Sequence, residues 1–174
     1  MNTTKKETKK VYVIASTEYE ANMPDTFLMD EMGNYYGVTH NSYACWHNYP
    51  KSIEHWIDAE GSDKGRYFNI DEVELPVEQI EKFDALTKEY EQVLDSIPTF
   101  EHKYPYRSEY KTKKAYMEAA DEHVKKYREY IKANNIVEKN KRISELWTER
   151  VQLFCSFSSK VFKAIKDNDP IKHL

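Results

Sequence analysis

Apolar positions along this chain fall into two regimes. Up to residue 75 they come in short clusters, and beyond it they recur every three or four residues over long stretches. The run VYVIA at 11–15 is rich in β-branched side chains and predicts a first strand. The run RYFNIDEVEL at 66–75 predicts a second, with Phe68 and Ile70 on its apolar face. From Pro76, which suits a first helical position, the residues Val77, Ile80, Phe83, Leu86 or Thr87, Tyr90, Val93 or Leu94, and Ile97 follow in steps of three and four. This pattern predicts an amphipathic helix that ends at Pro98. After a loop at 99–106, a second helix is predicted from about Ser108 to Asn134 and Asn135, burying Tyr116, Ala120, Val124, Tyr127 and Ile131. A third is predicted over 136–166, with Ile143, Leu146, Trp147, Val151, Phe154, Phe157 or Ser158, Val161 and Ile165 as its stripe. Three antiparallel helices of this length would bury a core of their own.

Between the two strands, residues 29–48 (MDEMGNYYGVTHNSYACWHN) read as a helix-turn-helix whose first helix opens near Phe27 behind a Thr26 or Asp25 cap. Gly37 stands where the turn needs positive φ. Met32, Tyr36, Val38, Tyr43 and Trp46 would pack between the helices, with Gly33 allowing their close approach. Pro50 ends the motif, and Ser52 is positioned to cap a short helix carrying Ile53, Trp56 and Ile57. The expected fold class is α+β, mostly α. Residues 1–10 form a flexible basic tail, 11–75 a helix-turn-helix module flanked by two strands that pair, and 76–174 a bundle of three long helices.

Charge changes what the motif means. Residues 1–75 hold 7 Lys and Arg against 13 Asp and Glu, whereas 102–142 hold 12 against 6. The second helix of the motif, 39–48, has no Lys or Arg, although phosphate neutralisation by such groups supplies nearly all non-specific DNA affinity. Its outward positions would be Thr39, His40, Asn41, Ala44, Cys45 and Asn48, with Lys51 just beyond; Asn41 and Asn48 suit adenine edges and His40 a guanine. These residues are the candidate contacts to DNA or to a protein partner.

The stretch 102–114, HKYPYRSEYKTKK, interleaves Tyr104, Tyr106 and Tyr110 with Lys103, Arg107, Lys111, Lys113 and Lys114. Aromatic side chains among cations suit stacking on bases, and they suit a protein interface equally. A solvated loop packed on the bundle is the third reading. His40, Cys45, His47 and His55 cluster in sequence, but Cys45 and His47 lie two apart on a helix and point to different faces, so no metal is expected. No cofactor is expected either. The chain shows no nucleophile elbow, P-loop or HExxH, and it has four glycines, so catalysis is not expected. Two cysteines far apart, Cys45 and Cys155, make no disulfide framework. With no signal peptide and no apolar run near 20 residues, a cytoplasmic location in a bacterial host is expected.

On FLMDEMGNYYGVTHNSYACW and RYFNIDEVEL, residues 10–75 resemble a module common in small accessory proteins of phages of Gram-positive bacteria. That resemblance implies one of two functions. One is a non-catalytic inhibitor docking on a host nucleic-acid-handling nuclease, either a CRISPR effector or a restriction enzyme. The other is a helix-turn-helix transcriptional regulator, possible as a homodimer on double-stranded DNA. The acidic N-terminal module favours the first.

Overall fold

The computed structural model describes residues 7–16, 26–38, 52–59 and 68–167. They form a mixed α/β protein with five α-helices and a four-stranded antiparallel sheet. The order along the chain is β1 (Thr8–Ser16), β2 (Thr26–Asp30), β3 (Tyr35–Tyr36), α1 (Ile53–Ala59), β4 (Phe68–Pro76), α2 (Val77–Asp95), a 3₁₀ turn (Arg107–Glu109), α3 (Lys113–Ala133), α4 (Ile136–Phe157) and α5 (Ser159–Asp167). Two compact units divide it: Met1–Glu89 with Leu146–Leu174, and Tyr90–Glu145.

In the first unit the strands lie in the order β3-β2-β1-β4. The two predicted strands do pair, from Thr8↔Pro76 to Ser16↔Phe68. Strand β1 begins earlier than expected and takes Lys9 and Lys10 out of the predicted tail. Its side chains alternate between two cores, as a strand buried on both faces requires. On one face Val11, Val13 and Ala15 join Leu28, Leu75, Ile80, Phe83, Phe154, Phe157 and Val161. On the other, Ile14 joins Phe27, Met29, Val38, Trp56, Phe68 and Ile70. Trp56 of α1 packs between Phe27 and Phe68, at 5.2 and 4.6 Å between ring centres, and donates its indole N–H to the Tyr35 hydroxyl at 3.2 Å.

The helix predicted from Phe27 is instead strand β2, joined to β3 by a tight turn, and this removes the first half of the helix-turn-helix. The cause lies in Asp30-Glu31-Met32-Gly33, where Asp opens a β-turn and Gly closes it with φ +79°. Gly33 N–H donates to the Asp30 carbonyl at 3.0 Å, and Asp30 N–H donates to Asn34 at 2.9 Å, as in a three-residue hairpin loop ending in a left-handed residue. Met32, expected between two helices, is 84% exposed on that turn. Gly37 does take positive φ, +60°, and a second constraint keeps it glycine: a Cβ there would strike the Phe83 ring. The second helix of the motif, 39–48, lies outside the described residues.

The predicted division at residue 75 does not separate two cores, because Ile80, Phe83, Phe154, Phe157 and Val161 of the helices pack on the sheet. The third predicted helix is two helices. Ser158 breaks it by accepting from Val161 N–H at 3.0 Å as the cap of α5 and donating to Asp71 at 2.7 Å. Helix α3 starts at Lys113 rather than near Ser108, because Thr112 caps it through Ala115 N–H at 3.1 Å. It ends where expected, with Asn135 at φ +52°.

Arg150 is buried among these elements. Its guanidinium donates to Thr87 Oγ1 at 2.7 Å, Thr26 Oγ1 at 3.0 Å, the Thr26 carbonyl at 2.8 Å and the Gly37 carbonyl, and it lies 4.7 Å from the Phe83 ring centre.

Candidate functional site

The sequence-predicted contacts Thr39, His40, Asn41, Ala44, Cys45, Asn48 and Lys51 lie outside the described residues. Those of the 102–114 stretch are described, and half of them, Lys103, Tyr104, Tyr106 and Tyr110, converge. In the unit Tyr90–Glu145, the segment after α2 runs back along α3 and leaves a groove of about 280 Å³. Lys103, Tyr104, Tyr106 and Tyr110 line one wall, and His123 and Lys126 of α3 line the other.

The groove is held from beneath by aromatic packing. The Phe100 ring lies 5.4 Å from His123, 5.1 Å from Tyr127 and 5.0 Å from Tyr130, residues at steps of four and three that share one face of α3. His123 is also edge-on to Tyr104 at 5.2 Å. Tyr130 donates its hydroxyl to the Pro98 carbonyl at 2.5 Å, and Lys139 donates to the Ser96 carbonyl at 2.7 Å, so the segment is pinned at its start. Pro105 is buried between the two exposed tyrosines, Tyr104 and Tyr106.

The 3₁₀ turn holds the far end. Arg107 donates from Nη1 to the Tyr110 carbonyl at 2.6 Å, and Glu109 accepts from Tyr106 N–H at 3.3 Å. Arg107 is therefore a clamp on its own turn and does not line the groove. A hydrogen bond with the Tyr104 hydroxyl pushes the Tyr116 hydroxyl above its ordinary range.

Lys111, Lys113 and Lys114 are exposed and lie outside it, at the start of α3. The first turn of α3 has no acidic residue, and Lys114 meets Glu118 only at 3.9 Å. Cations at a helix N-terminus oppose the backbone dipole and cost about 0.3–1 kcal/mol each. The fold does not profit from these lysines where they stand.

Sequence reasoning missed Phe100, His123 and Lys126 as parts of this site. Phe100 sat in a stretch read only as a loop. The helical spacing of His123, Tyr127 and Tyr130 was the available signal. A different polar centre, in the first unit, was also missed. Asp30 is buried and accepts from Lys9 Nζ at 2.5 Å, Asn34 Nδ2 at 3.0 Å, the Tyr36 hydroxyl at 3.1 Å, and the N–H groups of Met32 and Asn34 at 3.0 and 2.8 Å. Burial pushes its carboxyl up, but these bonds, led by Lys9, outweigh burial and hold it well below the usual carboxylate range. The same bond to Asp30, with one to Tyr36, raises Lys9 above its ordinary value. This centre fastens the hairpin.

Among the described residues no group of His, Cys, Asp and Glu is placed to hold a metal ion, and no helix is long and apolar enough to cross a membrane. No protein-family model, curated protein or solved structure matches the chain.

Proposed function

We propose that this chain is a non-catalytic binding protein that docks on a nucleic-acid-handling nuclease, a CRISPR effector or restriction enzyme of a bacterial host, as a phage-borne inhibitor. The observation that carries the reading is the groove of 102–126, where Tyr104 is exposed yet held edge-on by His123 of α3, itself packed on Phe100. A fixed tyrosine loses little side-chain freedom on binding, which makes such residues effective anchors. The three lysines beside it raise the energy of α3 on its own, a local cost typical of residues kept for a partner.

The partner class is supported by charge elsewhere. Glu54 and Asp58 of α1 are exposed, as are Glu72 and Glu74 of β4. They belong to the acidic N-terminal part of the chain and suit the basic surface that a nuclease offers to nucleic acid. DNA reading by a helix-turn-helix loses its scaffold, because β2 and β3 occupy the first helix's place. Binding to DNA is therefore the opposing outcome of the test.

The test adds the purified chain to cleavage reactions run by restriction and CRISPR nucleases. Wild type is expected to suppress cleavage by at least one, and a Tyr104→Ala/Tyr106→Ala variant with unchanged far-UV circular dichroism is expected to lose that suppression. Cleavage undiminished across the panel, together with a sequence-dependent gel shift on duplex DNA, would overturn the proposal.

A further inference from the structure

Helix α3 contributes no fully buried residue, although it is 21 residues long. Its apolar side chains Met117, Ala120, Val124, Tyr127 and Ile131 are spaced three, four, three and four apart, the repeat of a helix that pairs with another helix. The segment carrying Phe100 covers only one flank of this seam, through Tyr127. Met117 remains 53% exposed, Val124 39% and Tyr127 44%. A helix whose seam stands this open lacks a partner that its spacing anticipates.

We propose that the occupant is α3 of a second copy of this chain, running antiparallel. Charge decides both identity and direction. Asp121 and Arg128 occupy the same flanking position of successive repeats, on the side of the seam away from Phe100, and neither makes an ion pair among the described residues. When two such helices run antiparallel with Val124 facing the second copy's Tyr127, Ala120 faces Ile131, so a small residue meets a large one in each outer layer. In that same register Asp121 of each copy meets Arg128 of the other, giving two ion pairs related by the two-fold axis. In a parallel pair, the Asp121 side chains would lie level with each other and would not meet Arg128.

The contact is two helices wide, so the dimer depends on concentration. It uses the flank of α3 opposite to the one that lines the groove, and it does not rest on the proposed function. Sedimentation equilibrium of the full chain across a wide concentration range tests it. Wild type is expected to dimerise, and Val124→Lys to stay monomeric with unchanged helicity. Asp121→Arg alone and Arg128→Asp alone each place like charges opposite one another, and each is expected to weaken the dimer by about tenfold. The double variant Asp121→Arg/Arg128→Asp restores opposite charges and is expected to recover dimerisation. A wild-type chain that stays monomeric, a dimer indifferent to the single reversals, or a double variant that fails to recover would each overturn the proposal.

Discussion

Arg150 spends its charge indoors, on two threonines and two backbone carbonyls, and the geometry of its fork explains why no other residue serves. A lysine offers one point of donation on a flexible stem, whereas the guanidinium presents planar donors to Thr26, Gly37 and Thr87 together. Arg150→Lys and Arg150→Met are therefore both expected to destabilise the fold by about 3 kcal/mol or more, since each strands buried acceptors. Urea denaturation followed by tryptophan fluorescence measures this loss. Asp30 makes a pH-dependent contribution of known sign. Its folded value lies below the ordinary aspartate value of 3.8, so its stabilisation is present above that pH and fades as the pH falls further. Lys9 lies above 10.5 when folded, so its share is present below that pH and fades on the alkaline side. An Asp30→Asn variant is expected to lose the acid dependence between about pH 4 and pH 2, read as melting temperature against pH.

At the scale of elements, the sequence was most legible where one period ran unopposed. Strand β1 and helix α2 follow their apolar spacing, and the ends of α2 and α3 follow Pro76, Thr112 and Asn135, but α3 fully buries none of Tyr116, Ala120, Val124, Tyr127 and Ile131, the face expected inside. Residues 26–38 were misread because Met32, Tyr36 and Val38 fit two periods at once: Tyr36 and Val38 are two apart, as in a strand, and four separates Met32 from Tyr36, as in a helix. The deciding signal was local, in Asp30 and Gly33 of the turn. The break at Ser158 was hidden differently. Phe154, Phe157 and Val161 keep helical spacing across it, and only the serine's bonds to Asp71 and Val161 N–H reveal that two helices meet there. Ser158→Ala removes both bonds and is expected to cost about 1–2 kcal/mol, measurable as a lowered denaturation midpoint. Of the candidate site, the tyrosines and Lys103 were legible because polar and aromatic residues alternate in 102–114. The opposite wall was not, because a lone histidine on a helix announces nothing until Phe100 is placed against it.

For the whole molecule, burial is uneven. The sheet unit holds both apolar clusters, whereas in the unit Tyr90–Glu145 only Ile136 and Pro105 are buried. Local opening costs least where few apolar contacts must break. Amide hydrogen exchange is thus expected to be slowest in β1, the first half of α2 and the second half of α4. Exchange should run faster through α3, and mass spectrometry of peptides from the exchanged protein would report the order.

Thr26 receives its guanidinium from 124 residues further along the chain, and Gly37 from 113 further along. That separation sets a timetable for synthesis. A ribosome releases the strands first, and their Val11, Val13 and Leu28 face, met early only by Ile80 and Phe83 of α2, must wait for Phe154, Phe157 and Val161. At roughly 5–20 residues per second the wait lasts many seconds, long enough for sticky surfaces to find one another or a chaperone. A message cut short before Leu146 would yield every strand of the sheet but, of the helical residues that cover this face, only Ile80 and Phe83, so the stretch from Leu146 to Val161 decides whether that face is closed.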